Sequence, residues 1–183
     1  MQPGDTTAPV AAPFPEAAGP LTHDAACSIA GALEVIGDRW SLLILRDAFR
    51  GVRRFDQMRR DLGIARNVLA DRLDKLVEHG ILVRVPYQDR PVRLEYRLTD
   101  RGRDLSPALV ALMRWGDHHL AGGAAPTVLV HAACGAPLEQ LLRCPDCGTE
   151  VAPTGIRSRP GPGADRPPPP PPPDPTLTSS GAR

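Results

Sequence analysis

The apolar residues of this chain change their spacing once, and that change limits the folds open to it. Through residues 65–79 Leu69, Leu73 and Leu76 recur at helical intervals, and Gly80 closes the run. The rhythm then becomes alternation, over 81–87 and again over 92–98, about the polar turn Gln88-Asp89-Arg90-Pro91. Such a pattern reads as a β-hairpin following directly on a helix.

Upstream, the helical rhythm holds. Ala26, Ile29, Ala30, Leu33 and Ile36 share one face of a helix expected over 26–36, which ends at Gly37. Asp38 is placed to cap a second helix, 39–49, by accepting a hydrogen bond from an exposed backbone N–H. That second helix is almost wholly apolar, so it is expected at the centre of the core. Phe55, Met58 and Leu62 line a third helix, 55–62, and Gly63-Ile64 turn the chain into the fourth, 65–79. Two short helices joined by a glycine-containing turn form a helix-turn-helix. Past the hairpin, Thr99 can cap a last long helix over 100–120, with Leu105, Leu109, Leu112 and Trp115 as its stripe. The expected fold is therefore mainly α with a small β-hairpin wing, an α+β winged helix-turn-helix.

Composition sets the limits of that domain. Of 183 residues, 22 are proline and 17 glycine, and they crowd into the two ends. Segments so built cannot pack a core. Residues 1–22 are expected to be a disordered leader, 23–121 the winged helix, 127–151 a small zinc-ribbon-like module and 152–183 a disordered proline-rich tail. The run from Pro167 to Pro173 favours polyproline II; a ligand for another domain is an alternative to a solvated tail. No stretch reaches the roughly 18 apolar residues of a membrane span, and the N-terminus lacks a basic-then-apolar signal pattern, so a cytoplasmic protein without a membrane partner is expected.

The formal net charge is only +1. Its distribution is more telling, because residues 53–103 carry thirteen basic side chains against eight acidic ones. A major groove about 12 Å wide admits one helix, so the second helix of the helix-turn-helix must bury one stripe and offer the other. Opposite its leucines the fourth helix presents Asn67, Ala70 and Asp71, flanked by Arg66, Val68 and Arg72. Arg pairs bidentately with guanine and Asn with adenine, while Arg54 is placed to hold a phosphate. Gln88, Asp89, Arg90 and Arg93 crown the wing, where arginine is drawn to a minor groove or the backbone. The plainer reading, in which these arginines only solvate ordinary faces, fits any one of them better than it fits the set.

Cys27, the run from Ala32 to Arg46, then Arg54-Phe55, Gly63-Ile64, Val68-Leu69-Ala70-Asp71-Arg72-Leu73 and Glu95-Tyr96-Arg97-Leu98-Thr99-Asp100-Arg101-Gly102 together resemble the HxlR family of winged helix regulators. The resemblance spans about residues 27–116. It implies a homodimer formed largely by the first and last helices, bound to operator DNA with two related half-sites. Where the family has Ser or Thr capping the recognition helix this chain has Ala65, and the Asp61 carboxylate is a candidate substitute. The resemblance also makes Cys27, at the start of the first helix, a candidate redox sensor, since the helix dipole there favours a thiolate. The alternative is a small residue packed at the dimer contact.

His131-Ala132-Ala133-Cys134-Gly135 and Cys144-Pro145-Asp146-Cys147-Gly148 are two copies of one pattern: ligand, two residues, Cys, Gly. Paired ligands followed by a turn-permitting glycine form the knuckle of a zinc ribbon, and Cys₃His would close a structural tetrahedral Zn2+ site. Chance proximity of surface cysteines, or a reversible disulfide of Cys144 and Cys147, are the alternatives. A DNA-binding regulator is the leading functional expectation, with repression favoured because a bound dimer obstructs polymerase. A zinc-stabilised protein-interaction adaptor would not need Arg66, Asn67 and Arg90. A small zinc enzyme would need a nucleophile with its base, or an open metal position, and neither pattern occurs, so no enzyme is expected. No residue pattern points to an effector.

Overall fold

The computed structural model describes residues 27–159 and 161–162. The expected leader, 1–22, and most of the proline-rich tail, including Pro167 to Pro173, lie outside the described residues. Ser28–Pro153 form one compact unit; Cys27 and residues 154–159 and 161–162 fall in a second.

Asp38 determines how the first unit starts. Its Oδ1 accepts from the Trp40 and Ser41 N–H groups, each at 3.0 Å, and Oδ2 accepts from the Ser41 hydroxyl at 2.5 Å. Two otherwise orphaned N–H donors of the helix start are thereby satisfied. The cap separates α1 (Ser28–Ile36) from α2 (Arg39–Phe49). On α2, Ile44 and Leu45 are fully buried and form the centre of the core with Met58 of α3 (Phe55–Leu62) and Leu69, Leu73 and Leu76 of α4 (Arg66–Glu78). Gly63, in the left-handed conformation, makes the turn from α3 toward α4.

Strands β1 (Leu82–Asp89) and β2 (Val92–Leu98) pair antiparallel, from Leu82 opposite Leu98 to Asp89 opposite Val92. Strand β1 thus runs two residues past the expected end, and the turn is confined to Arg90 and Pro91, joined by a cis peptide bond. A bulge falls at Tyr87, because Pro86 pairs with Leu94 and Gln88 with the adjacent Arg93. The fold is the winged helix-turn-helix: helical, with a two-stranded antiparallel wing.

The last helix departs from expectation. Thr99 caps as foreseen, accepting from the Gly102 N–H at 3.0 Å, but α5 (Asp100–Arg103) stops after one turn and α6 (Ser106–His119) begins anew. The apolar spacing runs straight through Pro107, yet a proline in the first turn of α6 has no N–H to continue a helix from Arg103. Neither α1 nor α6 buries any residue. Ile29 and Leu33 of α1 and Leu112 and Trp115 of α6 are exposed, and an apolar groove of about 300 Å³ runs between these helices and α2.

Candidate nucleic-acid interface

The buried leucines of α4 leave its first turn open to solvent. Ala65 stands at the capping position with φ −64° and ψ 142°, and no side chain caps the helix, so the Asp61 carboxylate does not take over that role. Arg66 and Asn67, the first residues of the helix, are exposed. The Arg66 guanidinium lies 5.3 Å from the centre of the Phe55 ring, a cation–π contact that holds it beside the mouth of the helix-turn-helix.

Two other residues of α4 are engaged differently. Asp71 is exposed and accepts from Arg72 Nη1 at 2.7 Å. Arg72 Nε also sits 3.1 Å from Asp38 Oδ1, an ion pair without an aligned hydrogen bond. Its side chain therefore reaches back to the cap of α2, away from the open face. Burial alone would raise the pKa of Asp38. The hydrogen bonds from the Ser41 hydroxyl and N–H, the charge of Arg72 and the Trp40 N–H outweigh that effect and hold the carboxyl below the usual aspartate range.

At the base of the wing, Arg54 precedes α3 and stacks 4.5 Å from the centre of the Tyr87 ring, the bulged residue of β1. The backbone explains how they meet. Arg54 bridges Glu95 antiparallel, and the Tyr96 N–H donates to the Arg53 carbonyl at 2.8 Å, so residues 53 and 54 attach to the edge of β2 through an isolated bridge. Sequence reading missed this bridge, because two residues are too few to establish alternation. It also missed Phe55 and Tyr87 as platforms for arginine. At the tip, Gln88 Nε2 donates to the Arg90 carbonyl at 3.1 Å, while Arg90 and Arg93 are exposed. Among the described residues Arg54, Arg66, Arg90 and Arg93 make no ion pair, and neither do Arg53, Arg59 and Arg60.

A family model described as HxlR-like helix-turn-helix matches residues 35–123. An uncharacterized HTH-type transcriptional regulator of Mycobacterium bovis, Mb3122, is 50% identical over 137 residues, covering 74% of this chain and 87% of that protein. The chain belongs to the HxlR-like helix-turn-helix family. Solved structures agree. The crystal structure of PA1607, a candidate transcription factor, is 43% identical with a TM-score of 0.66 and covers 73% of this chain and 94% of that one. PA1374 of Pseudomonas aeruginosa, also a candidate transcription factor, is 40% identical with a TM-score of 0.56, covering 76% and 96%. This HxlR-like protein is thus a transcriptional regulator of the helix-turn-helix DNA-binding class. No helix among its described residues is long and apolar enough to cross a membrane.

The second group of singled-out residues lies beyond the winged helix. In this HxlR-like regulator His131 Nδ1 and Cys134 Sγ are 3.2 Å apart, and Cys144 and Cys147 flank a tight turn closed by the Gly148 N–H to Cys144 O bond at 3.0 Å. The nearby Thr149 hydroxyl and N–H favour the thiolate and lower the Cys147 pKa. The four residues thus form two pairs; among the described residues no three His, Cys, Asp or Glu side chains are grouped to hold a metal ion. Cys27 is exposed and directly precedes α1.

Proposed function

We propose that this HxlR-like regulator is a sequence-specific repressor that binds operator DNA as a homodimer, with α4 in the major groove and the wing against the flank. The observation that carries this reading is the pairing of an anchored and a free face on α4. Leu69, Leu73 and Leu76 are fully buried, while Arg66 and Asn67 stand exposed at the end of the helix that would enter the groove. In this assignment Arg66 and Asn67 read base edges, and Arg54, Arg90 and Arg93 hold phosphates or line the minor groove. Asp71 borders the reading face, and Gln88 stiffens the wing tip through its bond to the Arg90 carbonyl. Arg72 serves from behind, tying α4 to Asp38.

The homodimer is supported by the unburied stripes of α1 and α6. Ile29 is 71% exposed and Trp115 57%, and a second copy laid along both helices would remove this apolar surface from water. Two recognition helices then meet two half-sites, and the bound dimer stands in the path of polymerase.

Binding to cognate and random duplexes tests the assignment. Arg66→Ala or Asn67→Ala should weaken cognate binding by about 1–3 kcal/mol and relax base preference, as expected for a lost bidentate contact. Arg54→Ala should weaken all duplexes alike and reduce the salt slope by about one. Indifference of the wild-type chain to every duplex at low ionic strength would sink the reading, and sedimentation as a monomer would sink the dimer.

A further inference from the structure

We propose that His131, Cys134, Cys144 and Cys147 bind a single Zn2+ ion as a structural site, each knuckle supplying two of the four ligands. The inference does not rest on how the winged helix reads DNA.

Three backbone hydrogen bonds recur at equivalent positions in the two knuckles, and a fourth, from the Cys134 N–H to His131 O at 3.3 Å, occurs only in the first. In the first, the His131 N–H donates to Ala136 O at 2.8 Å, Gly135 N–H to His131 O at 2.7 Å and Leu138 N–H to Leu129 O at 2.8 Å. In the second, Cys144 N–H donates to Thr149 O at 2.9 Å, Gly148 N–H to Cys144 O at 3.0 Å and Val151 N–H to Leu142 O at 2.8 Å. Val130 bridges Pro137 as Arg143 bridges Glu150, and Gly135 and Gly148 turn at φ 72° and 69°. Around this shared frame most side chains differ: Val130 against Arg143, Ala132 against Pro145, Ala133 against Asp146, Pro137 against Glu150. The repeated chemistry is a sulfur or imidazole at the first ligand position, a sulfur at the second, and a glycine after it. A backbone duplicated only to make two turns would not need those donors.

In the first knuckle the donors already converge, His131 Nδ1 lying 3.2 Å from Cys134 Sγ, and in the second the Gly148 N–H to Cys144 O bond closes the equivalent turn between Cys144 and Cys147. What the module lacks is anything to join its halves. Not one side chain from Thr127 to Val151 is buried, so apolar packing does not hold the two hairpins to each other. A cation that takes two ligands from each pair supplies the missing link by drawing the pairs together. Three thiolates and an imidazole would be a soft set of four donors, which suits tetrahedral Zn2+ and not Mg2+ or Ca2+. With all four positions filled by protein, no coordination site is left for substrate. On binding, three thiol protons pass to the buffer, and the neutral His131 gives its Nδ1 lone pair. The link also reaches the winged helix, because Gln140 Nε2 donates to Pro107 O at 2.8 Å and Arg114 donates to Leu138 O.

The full-length chain, purified under reductant without chelator, is assayed for metal by mass spectrometry and for free thiols. About one zinc per chain is expected, with the metal lost in Cys147→Ser and His131→Ala and retained in His131→Cys, which keeps four donors. Co2+ in place of zinc should give the intense visible bands of tetrahedral cobalt with a thiolate charge-transfer band. Helical circular dichroism of the winged helix, read on every variant, separates loss of ligand from loss of fold, since α2, α3 and α4 should persist without the metal. A chain that holds no zinc as purified and takes up none when Zn2+ is supplied overturns the proposal. So does a metal-free chain with a Cys144–Cys147 disulfide, or zinc retained in both Cys147→Ser and His131→Ala.

Discussion

The winged helix and the segment from Thr127 to Val151 are folded by different means. In the first, Ile44, Leu45, Met58, Leu69, Leu73 and Leu76 are fully removed from water, each contributing about 1.5–3 kcal/mol. In the second no side chain is buried, and Leu138, Leu141 and Leu142 stand exposed. Ordering a residue costs about 1–2 kcal/mol in backbone entropy wherever it lies. A stretch that offsets this cost with burial needs nothing else; one that cannot must be cross-linked. The contrast teaches that hydrogen-bonded turns define the shape of a small module without supplying the energy to keep it.

The sharpest way to break this contrast is to remove a leucine from each region. Leu73→Ala should cost the winged helix about 2–5 kcal/mol in urea unfolding, from lost burial and the cavity left behind. Leu142→Ala should change that stability by no more than about 0.5 kcal/mol. Equal losses would mean that the module is packed after all.

Next in size is Asp38. Asp38→Ala should cost about 1–2 kcal/mol through loss of the α2 cap. Because its folded-state pKa is lowered, the stability it contributes is complete above the unfolded-state value, about 4, and fades as pH falls through the lower folded value. Asp38→Asn keeps an acceptor for the cap but removes the titration, so its stability should lose less than wild type over that acid window. An unchanged acid limb in urea midpoints taken from neutral pH downward would contradict the linkage.

The smallest expected effect is a gain. Ala65→Ser supplies the missing cap of α4 and should raise the thermal midpoint, by an amount worth roughly 0.5–1 kcal/mol. Metal content of the module should not respond. A loss of stability would mean that another group already serves those N–H donors.

Much of the frame was legible before any coordinates. The expected spans of the second and third helices coincide with α2 and α3, and the fourth differs by one residue at each end. Their signals are local: a cap at Asp38, a stop at Gly63, leucines at helical spacing. Arg66, Asn67, Arg90 and Arg93 are exposed on the elements expected to carry them. Arg72 was not legible as a scaffold residue, because its partner Asp38 lies on another helix. The stripes of α1 and α6 announce apolar faces, but spacing does not say whether the same chain covers them.

Periodicity, capping residues and glycine stops act over a few residues, so the amino-acid order alone specified α2, α3, α4 and the hairpin, but not the break between α5 and α6. Side chains distant in the chain were assigned their neighbours only by folding. Arg54 found Tyr87 through a bulge, residues 53 and 54 joined the wing through Glu95 and Tyr96, and Glu95 itself became a buried acid paired with Arg97. Burial and ion pairing depend on what approaches through space, and that is decided when helices and strands pack.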